Sequence, residues 1–569
     1  MQVYPLVLKL LPKDFSVTTW QNIEPYYIEL LNREIKNITS LKQWLKDRSE
    51  LESVLSEDLG KRYIAMTCDT ANDEKKNSYN YYIAEIEPNI QAYTNKLNEV
   101  LLQCPYANEL TDEADLLMIR IVQNQFNIYR EDNIPLFTEL QQLQVKYGAA
   151  IGALTVIIDN EEMTLQKAAN QLFVTDRAKR ENAYHTIQQK RLSIKPELDN
   201  LFMDLVSRRH KVAQNAGFDN YRDYIFAEMC RFDYTPKDCF EFHEAVEKQV
   251  VPLLNNMAKK RKEKLGVAQL RPWDLSVDKM GRAPLKPYLD AQDLIQKTKI
   301  NFARLSPEVA QVIDILQNAG HLDLDSRKGK APGGYNYPLY ASGIPFIFMN
   351  STATVRDLVT MVHEGGHALH SILTSRLELI NYKNLTSEIA ELASMSMELM
   401  SMEHWDVFFE NKEDLNRAKG DHMEQIIETL PWVAAIDAFQ HSIYENPHYT
   451  PLELTKVWNE IHDRFSTNVI DWSGLQQYKD NIWQKQLHLY EVPFYYIEYG
   501  IAQLGAIGVW KNYKENSQQA LSQYINALSL GYTKSLSAIY ETAGVSFDFS
   551  VNNIKKLLKF VDDEYNKLD

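Results

Sequence analysis

The stretch Asp357-Leu-Val-Thr-Met-Val-His363-Glu364-Gly365-Gly366-His367-Ala-Leu-His370 reads as a helix, with Leu358, Val362, Leu369 and Leu373 as apolar supports. Residues four apart share a helical face about one turn apart, so the imidazoles of His363 and His367 can reach one ion. Glu364 lies beside the first of them and can approach a water without ligating the metal. Two neutral imidazoles with an adjacent carboxylate base are what zinc-assisted hydrolysis requires. With 13 histidines in 569 residues, roughly 0.02 such arrangements arise by chance, which favours chemistry over coincidence. Gly365 and Gly366 sit mid-helix, each costing about 1 kcal/mol relative to alanine, so something is expected to approach that backbone closely. His370 falls on roughly the same face as His363. As a fourth ligand it would close the open position catalysis needs, so we expect a structural or orienting role for it. His185, His210 and His321 have no such spacing.

A hydrolytic zinc site needs a third protein ligand. Downstream, Thr386 to Glu398 is again helix-like, and Glu388, Glu391 and Glu398 fall within about 60° of one another at helical pitch. Familiar spacings of 18 or 19 intervening residues would place the ligand at Thr386 or Ser387, which are not carboxylates. A third histidine six residues on would require one where Leu373 stands. Glu391 survives these tests, and geometry leaves Glu388 and Glu398 open as well.

Upstream, Lys328 to Pro345 is rich in glycine and proline and reads as a loop over Gly329–Pro338, followed by a strand at Pro345–Met349. We expect the segment through Asn350 to be an edge strand that pairs with an extended peptide, and the Gly333-Gly334 loop with Tyr335 and Tyr337 to close over it. Elsewhere helical periodicity dominates. Ser40 reads as an N-cap and Gly60 as a stop for one helix, and Thr235-Pro236 opens another that Pro252 should bend and Gly266 should end. Leu154–Ile158 and Thr164–Gln166 read as a hairpin.

Composition narrows the rest. With 61 basic against 77 acidic residues the net charge is -16, which argues against nucleic-acid binding. No apolar run reaches membrane-spanning length, and the N-terminus lacks a leader pattern. Cys68, Cys104, Cys230 and Cys239 show no paired short spacing, so neither a disulfide scaffold nor a cysteine-based zinc site is expected. A soluble intracellular protein without membrane partners fits these features.

The chain resembles the thimet oligopeptidase and oligoendopeptidase F family of zinc metallopeptidases, particularly the short bacterial oligoendopeptidases. The resemblance rests on Arg231-Phe-Asp-Tyr-Thr-Pro, Arg271-Pro-Trp-Asp274, Lys330-Ala-Pro-Gly-Gly-Tyr-Asn-Tyr337, Pro345 to Asn350 and His363 to His370. It continues through Glu391-Leu-Ala-Ser394, Asp437-Ala-Phe-Gln-His441 and Pro493-Phe-Tyr-Tyr-Ile-Glu-Tyr499. It implies a mostly α, two-lobed helical peptidase with a deep central channel and a small β element beside the metal-binding helix. We divide it at residue 190 into an N-terminal helical region (1–190) and a catalytic region (191–569), together one continuous helical body. The resemblance selects Glu391 as third ligand to one Zn2+, beside His363 and His367. It implies Glu364 as general base, with His488 and one or more of Tyr495, Tyr496 and Tyr499 facing the substrate carbonyl. The implied activity is cytoplasmic endoproteolysis of short unfolded peptides. The alternatives are a dipeptidyl carboxypeptidase or carboxypeptidase with the same zinc arrangement, and a non-catalytic peptide-binding protein.

Overall fold

The structure is a computed structural model that describes every residue except Pro332 and Asp569, so the proline within the expected loop lies outside the described residues. The protein is mostly helical. The helices used below are α1 (Ile38–Cys68), α2 (Pro236–Ala245), α3 (Val251–Leu265), α4 (Ala291–Leu305), α5 (Val355–Thr374), α6 (Ser387–Met402), α7 (Lys412–Glu445), α8 (Leu487–Glu491) and α9 (Tyr496–Glu515). The strands are β1 (Thr155–Ile158), β2 (Glu161–Thr164), β3 (Leu322–Asp325), β4 (Tyr335–Tyr337) and β5 (Phe346–Ser351). Two compact units interleave along the chain. The first comprises Met1–Asn127, Lys286–Lys419 and Ala502–Phe547; the second comprises Ile128–Leu285, Gly420–Ile501 and Asp548–Asp569.

In the first unit, α1 starts two residues before Ser40, capped by Asn37, and runs through Gly60 to Cys68. Gly60 is therefore not a stop. A Cβ there would overlap the Tyr337 ring, so the glycine admits an aromatic side chain from nearly 280 residues away.

The glycine-rich segment is not all loop. Tyr335–Tyr337 forms β4, antiparallel to β5, while β3 pairs with β5 in parallel on its other side. β5 is thus the central strand, contrary to the expected edge position, and β4 is a margin of the sheet. The tyrosines are anchored rather than poised to close. Tyr335 stacks on Phe348 with centroids 4.8 Å apart and shares a 2.6 Å hydrogen bond with Thr67 Oγ1. The loop before β4 is held by Lys330, whose buried ammonium donates to the carbonyls of Asp323, Asp325 and Met349 and to the Asp323 carboxylate. These acceptors offset only part of the desolvation of the buried ammonium, whose pKa burial holds below its usual value against the opposing Asp323 carboxylate.

In the second unit, β1 and β2 pair as an antiparallel hairpin. Asp159 and Asn160, with φ of 53° and 64°, form its two-residue turn, so β2 starts earlier than the expected Thr164. Thr235 and Asp238 form a capping box at the start of α2. A π-helical turn, Val246–Val250, then leads into α3. That wide turn ends two residues before Pro252, whose missing N–H and ring disrupt regular helix. Gly266 closes α3 in the left-handed region at φ 65°.

Candidate metal and catalytic site

β5 leads directly into α5, whose first turn is fixed by Thr354 and Asp357 in a reciprocal capping box. Tyr288 Oη donates to Asp357 Oδ2 at 3.0 Å and accepts from the Ala353 N–H. The two mid-helix glycines are contact points. A Cβ at Gly366 would lie 2.8 Å from both the Ala393 carbonyl oxygen and Ser394 Cα, and 2.9 Å from Met397 Cβ. At Gly365 it would meet the Phe302 ring of α4 at 2.6 Å. Gly366 therefore lets α6 seat its backbone against α5, which brings Glu391 to the two histidines. Tyr524 Oη holds α6 from another side by donating to the Ala393 carbonyl at 2.6 Å.

His363, His367 and Glu391 converge in this first unit, with one donor atom from each lying within 4.8 Å of the others. Glu391 Oε2 is 3.4 Å from His363 Nε2 and 3.8 Å from His367 Nε2. Ligands about 2.0–2.1 Å from a tetrahedral zinc stand roughly 3.3 Å apart, so the donor set fits a small divalent ion. Ser394 Oγ donates to Glu391 Oε2 at 2.8 Å and orients it. His363 Nδ1–H donates to Glu398 Oε1 at 2.6 Å, which turns the Nε2 edge of the ring towards Glu391. Glu398 thus takes an orienting position, while Glu388 is buried elsewhere on the same helix. His370 is buried outside the donor group.

The electrostatics call for a cation. Desolvation lowers the His363 pKa, but the Glu398 hydrogen bond and the charges of Glu391, Glu398 and Glu364 carry it up to about 10. His367 is held well below its usual value by desolvation and by His363, and so is a neutral imidazole. Glu364 is only 6% exposed. Burial pushes its carboxyl up to about 7, with the His363 charge opposing and a backbone hydrogen bond from Asn336 of β4 also favouring the ionised form. Its Oε2 has no hydrogen-bond partner among the described residues, so this buried oxygen is available to a proton.

His488, Tyr495, Tyr496 and Tyr499 form a separate cluster in the second unit. The three phenol centroids lie 4.9–5.8 Å from the His488 ring. Trp432 Nε1, which can only donate, bonds Gln486 Oε1 at 2.9 Å. The Gln486 amide nitrogen therefore faces His488 Nδ1, at 2.7 Å, and the His488 proton resides on Nε2. Burial holds His488 down to about 4, so near neutral pH it is an uncharged donor.

The turn before α9 is unusual because Phe494 has φ 66°. Gln440 Oε1 accepts the Phe494 N–H at 2.6 Å, and Arg231 Nη2 donates to the Phe494 carbonyl and, at 2.7 Å, to Glu498 Oε1. Arg231 and Glu498 are almost fully buried. The sequence shows no sign of the Gln486 relay or the Phe494 turn, since both depend on partners distant along the chain.

Residues 171–557 match the model of peptidase family M3, and residues 13–129 match the peptidase M3 N-terminal domain. The chain is similar to the oligopeptidase PepF of Bacillus subtilis (strain 168), with 25% identity over 56% of this chain and 47% of that one. It thus matches about half the length of that relative. An oligoendopeptidase F homolog of Borreliella burgdorferi is 22% identical over 80% of this chain and 76% of its own. The solved structure of PZ peptidase A with an inhibitor superposes with a TM-score of 0.91 at 26% identity, covering 99% of this chain and all of that one. The family model spans the metal-donor helices and the tyrosine-bearing segment alike, and the chain belongs to peptidase family M3.

Proposed function

We propose that the chain is a zinc-dependent endopeptidase that hydrolyses internal bonds of short unfolded peptides in the cytoplasm. The carrying observation is the convergence of His363, His367 and Glu391 beside the unpartnered buried oxygen of Glu364. A zinc ion held by those three side chains would bring a water pKa towards 7 and polarise the scissile carbonyl. Glu364 takes the water's proton at Oε2 during attack and returns a proton to the leaving amine nitrogen. Glu398 keeps the His363 ring in its ligating tautomer.

The family resemblance assigns the neutral Nε2–H of His488 and the hydroxyl of Tyr495, Tyr496 or Tyr499 to donation towards a substrate carbonyl as negative charge develops there. β4, at the sheet margin and bonded to Glu364 through Asn336, takes the strand-pairing role expected of β5 and aligns an extended substrate through its main chain. The names of the relatives, oligopeptidase and oligoendopeptidase, support peptide substrates. No helix among the described residues is long and apolar enough to cross a membrane.

The test is hydrolysis of a fluorogenic oligopeptide blocked at both ends, together with metal analysis, for wild type and Glu364→Gln. We expect one zinc bound at the His363–His367–Glu391 site in both, cleavage by the wild type, and a loss of about 10²–10⁴-fold in the variant. Equal rates would remove Glu364 as base. Strict dependence on a free C-terminus would instead establish a carboxypeptidase.

A further inference from the structure

A second buried donor group lies in the second unit, apart from the residues used above. Cys239 and His243 stand four apart on α2, and Asp437 and His441 stand four apart on α7. Each pair occupies one face of its helix, by the same pitch that pairs His363 with His367. One donor atom each from Cys239, Asp437 and His441 lies within 4.8 Å of the others. All four side chains are buried, with Asp437 at 0% exposure.

Their hydrogen bonding is incomplete. His243 Nε2–H donates to Asp437 Oδ2 at 2.8 Å. Among the described residues, however, Asp437 Oδ1 and both ring nitrogens of His441 have no hydrogen-bond partner. Buried polar atoms in native proteins are seldom left so, because each forfeits its interaction with water. His441 Nε2 stands at an ion-pair distance of 3.3 Å from Asp437 Oδ2. That separation nearly equals the 3.4 Å between His363 Nε2 and Glu391 Oε2, and it is the spacing of two ligands sharing one ion.

We propose that Cys239, Asp437 and His441 bind a second, structural divalent cation of the zinc class, with His243 orienting the Asp437 carboxylate from outside the ligand set. A thiolate, an imidazole and a carboxylate suit zinc or cobalt rather than magnesium or calcium, which prefer all-oxygen sites. The Cys239 thiol gives its proton to solvent as the ion binds. The ion ties α2 to α7 directly beneath the tyrosine-bearing turn. The His441 ring lies edge-on against Phe494 at 5.2 Å, and neighbouring Gln440 accepts the Phe494 N–H.

Cobalt separates this site from the first, which contains no sulfur. Full-length protein is produced in cobalt-supplemented medium as wild type, as Cys239→Ser and as the double variant His363→Ala/His367→Ala. The proposal expects a near-ultraviolet thiolate-to-cobalt charge-transfer band in the wild type and in the double variant. It expects that band to vanish in Cys239→Ser, with the metal content dropping from two ions per chain to one. The double variant should keep one tightly held ion. A cobalt-loaded wild type without the band overturns the proposal, whether or not Cys239→Ser folds. So does a band that survives Cys239→Ser, or a double variant that holds no metal; the four residues would then be an ion-free buried network.

Discussion

Replacing Gly366 by alanine sets two effects of opposite sign against each other. Helix propensity alone makes the change stabilising by about 1 kcal/mol. The new methyl would instead sit 2.8 Å from the Ala393 carbonyl oxygen and from Ser394 Cα, both backbone atoms of α6. Restoring ordinary contact requires roughly 0.6 Å of separation, and in a close-packed interior that displacement moves the whole helix turn rather than one rotamer. Overpacking of this kind costs about 1–3 kcal/mol, so the net effect on stability is modest. The effect on the site is larger, because Glu391 rides on the displaced turn and metal–ligand distances tolerate only about ±0.2 Å. We expect zinc affinity to fall about 10–100-fold and blocked-peptide hydrolysis at limiting zinc to fall with it. The assay is competition with a chromophoric chelator, followed by activity across a zinc titration. Gly365→Ala is the control, since its methyl meets the edge of the Phe302 ring and no backbone. Pairing it with Phe302→Leu should restore wild-type behaviour. Wild-type zinc affinity in Gly366→Ala would refute the claim that this glycine sets the spacing of the two helices.

Glu398→Ala removes the acceptor on His363 Nδ1 and should weaken zinc binding about 10–100-fold by chelator competition while leaving the fold intact. Among Tyr495→Phe, Tyr496→Phe and Tyr499→Phe, one should lower kcat about 10²–10³-fold and the others far less, measured by steady-state kinetics at saturating zinc. Arg231→Met removes the buried ion pair with Glu498 at 2.7 Å and should lower stability by about 3–5 kcal/mol in denaturant titrations. The double change Arg231→Met/Glu498→Leu should recover much of that. His488, held by burial at about 4 against an unfolded value near 6.5, favours the neutral ring in the fold. It contributes nothing above pH ~6.5 and destabilises progressively as pH falls from there towards 4, because the unfolded chain takes up the proton first. His488→Gln should flatten the fall in stability across that window.

The features legible from the chain alone are the local ones. Helical pitch places His363 and His367 on one face whatever surrounds them, and the paired glycines signal a close approach without saying to what. Proline and threonine at the start of α2 and the glycine at the end of α3 act through their own φ angles and caps, so they too could be read directly. Readings failed where a distant segment supplied the missing partner. Gly60 looks like a terminus until the Tyr337 ring is seen resting on it. β5 looks like an edge until Tyr335–Tyr337 pairs with it. The three glutamates of α6 are equivalent by pitch. Only the packing of that helix on Gly366 turns Glu391 towards the imidazoles and Glu398 behind His363, while Glu388 is buried elsewhere. Backbone periodicity is encoded within a few residues. Donor geometry at a site arises from contacts between segments far apart in sequence, and those exist only once the core has closed.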